Sequence, residues 1–171
     1  MREVSEVKDL TDTAEAVLTQ ALAYSAKKLH LGNSHAVIDR LRGGDGPARG
    51  YYYYSVAGQV AEALGALDEN VKTVYLYDYD ATPEDMSLGE VGQTLPIHLL
   101  VRVERKTAAL NALVETWDRA LAGCHADMTG GHRPAHMLDV QVVDSTDVQK
   151  RIGYGALLSS LHHRPIQIWK R

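Results

Sequence analysis

VKTVYLYDYD, residues 71–80, is the stretch of sequence that decides the fold. The run is rich in valine and tyrosine, which favour the pleated geometry of a β-strand. Side chains alternate between the two faces of an extended chain, so Asp78 and Asp80 are expected on one face at the strand's end. Two such carboxylates can hold Mg²⁺, which prefers oxygen ligands and binds substrate phosphates. A strand end that simply enters solvent is the alternative.

The hydrophobic pattern around this strand predicts three helices before it and further strands and helices after it. The predicted helices cover residues 11–31, a short segment around residues 34–41, and residues 51–67, 104–122 and 146–162. The other predicted strands cover residues 96–103, 138–144 and 166–169, and Pro165 suits the last of them to a sheet edge. This order predicts an α/β (α+β) domain: a small mixed sheet of three to four strands, packed with helices and preceded by an N-terminal helical segment.

Composition and charge narrow the class of protein. The 171 residues fit one domain, and 45% hydrophobic with 23% charged residues is an ordinary balance for a soluble chain. A net charge of −4 argues against a dedicated nucleic-acid binder, which usually has a basic excess. The one cysteine, Cys124, cannot form an internal disulfide, and no apolar run approaches the roughly 20 residues of a membrane span. We therefore expect a cytoplasmic protein without a membrane partner.

Residues 43–50, GGDGPARG, interrupt the helical pattern. Glycine and proline break regular structure, so this segment is predicted to be a linker. A phosphate-binding loop is the alternative, but the segment does not match the P-loop or dinucleotide-binding pattern, and no predicted strand precedes it. The linker would separate an N-terminal helical arm, residues 1–48, from the main domain, residues 49–171, with the two forming one compact unit.

Two surface features point to a partner. The four successive tyrosines Tyr51–Tyr54 cover all sides of a helix, so some of them are expected to contact the N-terminal helices or a partner subunit. Residues 78–90 carry five acids and no base, whereas residues 148–171 carry five bases and no acid. Either both segments are solvated surfaces, or they attract each other within a subunit or across an interface. We expect a homo-oligomer or a protein partner.

Acids on two predicted strands form the first candidate site. Asp139 lies on the strand 138–144, and Asp78 and Asp80 end the strand 71–80. If the strands are neighbours, the three carboxylates converge and can hold Mg²⁺. Solvated strand-end carboxylates are the alternative.

Histidines in the predicted loop 124–136 form the second candidate site. His125, His132 and His136 could bind Zn²⁺ or another transition metal, although their spacing matches no common zinc motif. His98, on the strand 96–103, is expected to be a partnered, half-buried side chain rather than a general base. Cys124 has no sequence feature that marks it as a nucleophile.

Residues 56–145 resemble the nucleotidyltransferase fold of the DNA polymerase beta superfamily, which includes the minimal nucleotidyltransferases. In that family a helix leads into a strand that ends in Gly-Ser, the next strand carries two alternating metal-binding acids, and a third strand carries another acid. Here VYLYDYD places Asp78 and Tyr79 at the Gly-Ser position, and PIHLLV places Pro96 and His98 at the positions of the two acids. In LDVQVVD, Asp139 matches the third-strand acid.

The resemblance implies a degenerate member that has lost the two-metal site. We accordingly expect a non-catalytic protein that acts by binding or by oligomeric assembly, without a cofactor. The alternative is a Mg²⁺-dependent, nucleotide-binding enzyme, a nucleotidyltransferase that uses the relocated carboxylates Asp78, Asp80 and Asp139.

Overall fold

The computed structural model describes residues 2–77, 95–161 and 164–171, and for residues 2–9 the backbone alone. Three helices come first in the chain. The helices before the first strand are α1 (Arg2–Lys28), α2 (Ser34–Arg42) and α3 (Gly46–Leu67). They are followed by β1 (Val71–Leu76), β2 (Ile97–Val103), α4 (Ala108–Thr129), β3 (Leu138–Val143), α5 (Ser145–Lys150), a 3₁₀ helix (Gly153–Ser159) and β4 (Ile166–Lys170).

The four strands form one mixed sheet in the order β3-β2-β1-β4. Strand β1 is antiparallel to both β2 and β4, whereas β2 and β3 are parallel. Helix α4 makes the crossover that two parallel neighbours require. This architecture confirms the predicted α/β class with a small mixed sheet, and β4 lies at an edge.

The two faces of the sheet are covered by different helices. One face carries the apolar side chains that continue into the main core, which also contains side chains from α1, α2, α3 and α4. The other face, called here the second face, carries Tyr75, Tyr77, Leu100 and Val143 against side chains of α5 and the 3₁₀ helix. The second face is therefore the more thinly covered one, and polar side chains reach its border.

The N-terminal helices are part of the main core. Leu18 and Ala21 of α1 and Val37 of α2 are fully buried in the same hydrophobic cluster as Val74 of β1. The boundary predicted between residues 1–48 and 49–171 falls in the first turn of α3. No helix in the described part of the chain combines the length and the hydropathy that a membrane span needs.

The predicted linker at residues 43–50 is mostly helix, which corrects the prediction. Asp45 caps α3, because its side chain accepts a hydrogen bond from the backbone N–H of Ala48 at 2.8 Å. Pro47 stands in the first turn, where its fixed φ suits a helix and no backbone donor is needed. An aspartate cap followed by proline outweighs the neighbouring glycines.

Two other predicted helix ends are also wrong. Helix α4 continues through Gly123 to Thr129 and ends at Gly130, which adopts the left-handed conformation at φ 63°. The last predicted helix, residues 146–162, instead breaks after Lys150 into the 3₁₀ helix. The broken geometry brings residue 155 against α5 and requires glycine there, because a Cβ atom on Gly155 would lie 2.5 Å from the backbone of Asp147.

Strand β4 lies close against α3 because one helix position lacks a side chain. A Cβ atom on Gly65 would lie 2.1 Å from the ring of Trp169, which occupies that space. Arg171 adds hydrogen bonds from its guanidinium group to the carbonyl oxygens of Gly65, Asp68 and Val71. These contacts join the edge strand to the end of α3 that leads into β1.

Candidate functional site

One polar contact on the second face joins the neighbouring parallel strands β2 and β3. The register of β2 and β3 places His98 directly beside Asp139. The Nδ1 atom of His98 lies 3.1 Å from Oδ2 of Asp139. The two side chains are 31% and 36% exposed, so the pair is held by the sheet and still reaches solvent. His98 is thus a partnered, half-buried side chain.

A third side chain holds the carboxylate of Asp139. Gln141 lies two residues further along β3 and therefore on the same face. Its Nε2 atom donates a hydrogen bond to Oδ1 of Asp139 at 2.7 Å. Each oxygen of the carboxylate consequently has one donor partner, and each keeps capacity to accept another hydrogen bond.

Aromatic rings continue this group of side chains toward β1. The rings of Tyr77 and His98 have centroids 5.2 Å apart with an interplanar angle of 51°. The ring of Tyr154, from the 3₁₀ helix, lies 5.7 Å from that of Tyr77. Tyr77 is buried, whereas Tyr154 is 42% exposed. We call Tyr77, His98, Asp139, Gln141 and Tyr154 together the second-face site.

The first predicted site is described only in part. Asp78 and Asp80 lie outside the described residues, so the convergence of three carboxylates stays a prediction. Asp139 lies in the second-face site, and its partner on the neighbouring strand is the imidazole of His98. Pro96 precedes β2 and follows a cis peptide bond from Leu95. The two positions that the family resemblance matched to metal-binding acids on β2 are thus occupied by a proline and by the imidazole bound to Asp139.

The three histidines of the second predicted site have separate environments. His125 belongs to α4 rather than to a loop, and its Nδ1 atom lies 3.0 Å from Oη of the buried Tyr52. His136 contacts Asp118, and His132 is exposed. Within the described ranges, no group of three or more His, Cys, Asp or Glu side chains is arranged to hold a metal ion.

Burial sets the chemistry around His125. It lowers the pKa of the His125 imidazole and raises the pKa of the Tyr52 phenol. The pKa of the neighbouring Cys124 thiol is raised by burial and further by the carboxylates of Glu15 and Asp127. A raised pKa reduces the thiolate fraction, which fits the expectation that Cys124 is not a nucleophile.

Asp118 is a residue whose role the sequence did not suggest. Its buried carboxylate accepts hydrogen bonds from the backbone N–H groups of Met137 at 2.7 Å and Leu138 at 2.8 Å. Its other oxygen lies 2.7 Å from Nδ1 of His136. Asp118 therefore fixes the start of β3, one residue before Asp139. An acid between Trp117 and Leu121 on an otherwise apolar helix face was the signal that could have identified it.

The tyrosine run is divided between core and surface. Tyr52 is fully buried and Tyr53 is 8% exposed, so these two belong to the chain's own core and cannot form the predicted partner surface. Tyr51 and Tyr54 are half-buried. The ring of Tyr51 contacts that of Tyr24 of α1 edge-to-face, with centroids 6.3 Å apart. Contact of the run with an N-terminal helix is therefore confirmed for Tyr51.

Comparisons with protein-family models, with curated proteins and with solved structures found no match for this chain. The fold defines it as a mixed α/β protein with a four-stranded sheet. Its likeness to the nucleotidyltransferase fold stays a prediction from the sequence.

Proposed function

We propose that this chain is a non-catalytic, nucleotidyltransferase-like protein that acts by binding, with the second-face site as its binding centre. The observation that carries the proposal is the contact between His98 and Asp139 at 3.1 Å. Metal-dependent nucleotidyl transfer uses several carboxylate oxygens to hold metal ions against phosphate groups. In this chain the side chain beside Asp139 on the neighbouring strand is the imidazole of His98.

The hydrogen bonds that Asp139 already accepts support this interpretation. Its two oxygens already accept hydrogen bonds from His98 and Gln141, and a metal ion would have to displace or share those donors. Imidazole suits transition metals better than Mg²⁺, which prefers oxygen ligands. The pair is better suited to hydrogen bonding with a ligand than to a Mg²⁺ site.

Surface tyrosines support a second route to binding, through a protein partner or a second copy of the chain. Tyr24, Tyr51 and Tyr54 are half-buried on neighbouring helices, and tyrosine is enriched in protein interfaces. Light scattering of wild type and of Tyr54→Ala would test this route, with Leu67→Ala as a control at an exposed position of the same helix. A partner or oligomer that depends on Tyr54 but not on Leu67 supports it. The single cysteine, Cys124, favours a cytoplasmic location for either route.

The alternative is a Mg²⁺-dependent nucleotidyltransferase that uses Asp78, Asp80 and Asp139. One observation favours it: Asp78 follows directly after Tyr77, whose ring lies 5.2 Å from that of His98. The sequence therefore carries two further acids within three residues after Tyr77, which belongs to the second-face site.

Calorimetry with Mg²⁺–ATP and a nucleotidyl-transfer assay separate the two functions. The proposed function predicts a flat titration and no transfer by wild type. Transfer that is lost in Asp139→Ala and kept in Asp127→Ala would establish the alternative instead. Asp127 is an exposed acid on α4 and serves as the matched control.

A further inference from the structure

We propose that the second-face site binds a protonated amine, which deepens the binding function proposed above and rests on it. The ligand chemistry is a primary ammonium group, carried either by a small free amine or by the lysine side chain of a protein. The inference comes from three properties of the site: its hydrogen-bond acceptors, its uncompensated carboxylate and its exposed aromatic ring.

Asp139 and His98 each offer a hydrogen-bond acceptor in this site. Asp139 is 36% exposed, and each of its oxygens holds one donor and can accept a further hydrogen bond. When the Nδ1–H group of a neutral His98 donates to Asp139, its Nε2 atom carries a lone pair. Among the described residues, His98 Nε2 has no hydrogen-bond partner. An ammonium group offers three donors and no acceptor, so it matches this set.

The charge of Asp139 has no permanent counter-ion in the described ranges. Of the ion pairs there, the only one that involves Asp139 is the contact with His98. Lys106 is paired elsewhere, with its Nζ atom 2.6 Å from Asp147. A partly buried carboxylate gains from a cation more than a fully exposed one does, because water screens it less. A ligand cation can therefore supply the charge that the chain does not.

The exposed aromatic ring favours an organic cation over a strongly hydrated inorganic ion. Tyr154 is 42% exposed, and its ring contacts that of Tyr77, which in turn contacts His98. Ammonium groups are attracted to the faces of aromatic rings, and their alkyl chains cover apolar surface. The rings of Tyr154, Tyr77 and His98 form a series that ends beside the carboxylate of Asp139.

Heteronuclear NMR titration of the wild-type chain with named probes tests the proposal. One arm uses ethanolamine and 1,4-diaminobutane as free amines. The other arm uses a short lysine-containing peptide and the same peptide with its lysine acetylated. We expect saturable shifts of the His98 imidazole and of the Asp139 and Gln141 signals in at least one arm. Binding of the free amines identifies a small molecule as the source, and binding of the peptide alone identifies a protein.

Two variants separate specific binding from a general attraction of cations. Asp139→Asn keeps the side-chain shape and removes the charge, and we expect affinity to fall at least tenfold. Asp12→Asn removes an exposed acid of α1 and should leave the affinity unchanged. Equal binding by both variants, equal binding of the acetylated peptide, or no shifts with any probe would each overturn the proposal. None of these results would restore nucleotidyl transfer, so the failure of this inference is distinguishable from failure of the proposed function.

Discussion

The Oδ2 atom of Asp118 on α4 lies 2.7 Å from Nδ1 of His136, just before β3 begins. The partners differ greatly in exposure: the side chain of Asp118 is 11% exposed and that of His136 is 68% exposed. The other carboxylate oxygen accepts hydrogen bonds from the backbone N–H groups of Met137 and Leu138. Asp118 therefore holds the start of β3 mainly through its hydrogen bonds with the two backbone N–H groups, and the exposed imidazole of His136 covers the carboxylate.

We predict that Asp118→Asn destabilises the fold. Asparagine keeps the shape but loses the charge, and hydrogen bonds to a charged group contribute about 1.5–3 kcal/mol each. The expected loss in the free energy of unfolding is on the order of 2–3 kcal/mol, measured by urea denaturation. Part of the hydrogen bonding remains in the variant, which limits the effect.

Asp127→Asn is the matched control, because Asp127 lies on the same helix and is exposed. Its effect should stay within about 0.5 kcal/mol, as for most surface substitutions. If Asp118→Asn unfolds at the same urea concentration as wild type, the role assigned to Asp118 in fixing β3 is wrong.

The contact between Gly65 and Trp169 gives a second prediction. A methyl group at position 65 would lie 2.1 Å from the indole ring, which is far inside van der Waals contact. Gly65→Ala should therefore destabilise the fold by about 1–3 kcal/mol, the usual range for overpacking, because β4 must move away from α3. Thermal or urea unfolding measures the loss.

Gly58→Ala, in the same helix, should change the stability of the fold in the opposite direction. A Cβ atom on Gly58 has no neighbour within 4 Å, so alanine should stabilise α3 by roughly 0.5–1 kcal/mol through its better helix propensity. Trp169→Ala should remove most of the penalty of Gly65→Ala in a double-mutant cycle. If Gly65→Ala and Trp169→Ala change the free energy of unfolding additively, the Trp169 ring does not clash with a methyl group at position 65.

The sequence was sufficient to predict the elements that a hydrophobic period defines. The strand at Val71, the strand at Ile97 and the edge strand after Pro165 all follow from local pattern. Helix ends were predicted less well. Gly123 lies inside α4, because a glycine that is not forced to positive φ can remain helical, and Gly130 supplies the left-handed end.

The candidate site depended on register, which a single sequence does not contain. The parallel pairing of His98 with Asp139 joins residues 41 positions apart. A shift of one residue would move one of the two side chains to the other face of the sheet. The aromatic part of the site was also hidden, because Tyr154 reaches it through the 3₁₀ helix that follows the unexpected break after Lys150.

The buried His125 gives a prediction about pH. Burial lowers its pKa in the folded state, so the unfolded chain binds more protons when the pH falls below about 6.5, the ordinary value for histidine. The stability that depends on neutral His125 is therefore complete above about pH 6.5. It is lost as the pH falls from there to the lowered pKa of His125 in the folded chain. The measurement is urea unfolding from pH 7.5 to pH 5, for wild type and for His125→Gln.

The difference in unfolding free energy between wild type and His125→Gln should shrink or change sign as the pH falls, at up to about 1.4 kcal/mol per pH unit. His35→Gln, at an exposed position of α2, is the control and should keep the wild-type slope. An unchanged slope in His125→Gln would mean that His125 is protonated equally in the folded and unfolded chains.

The His98–Asp139 contact predicts the tautomer of the imidazole. Because Nδ1 faces the carboxylate at 3.1 Å, the proton of the neutral ring belongs on Nδ1 and the lone pair on Nε2. Nitrogen-15 NMR of histidine-labelled protein at alkaline pH distinguishes the two tautomers directly. Asp139→Ala removes the acceptor, so the His98 signals should move toward the Nε2-protonated form, while those of the exposed His132 should not change. A wild-type ring already protonated on Nε2 would contradict the arrangement, because His98 would then present a donor rather than an acceptor to a ligand.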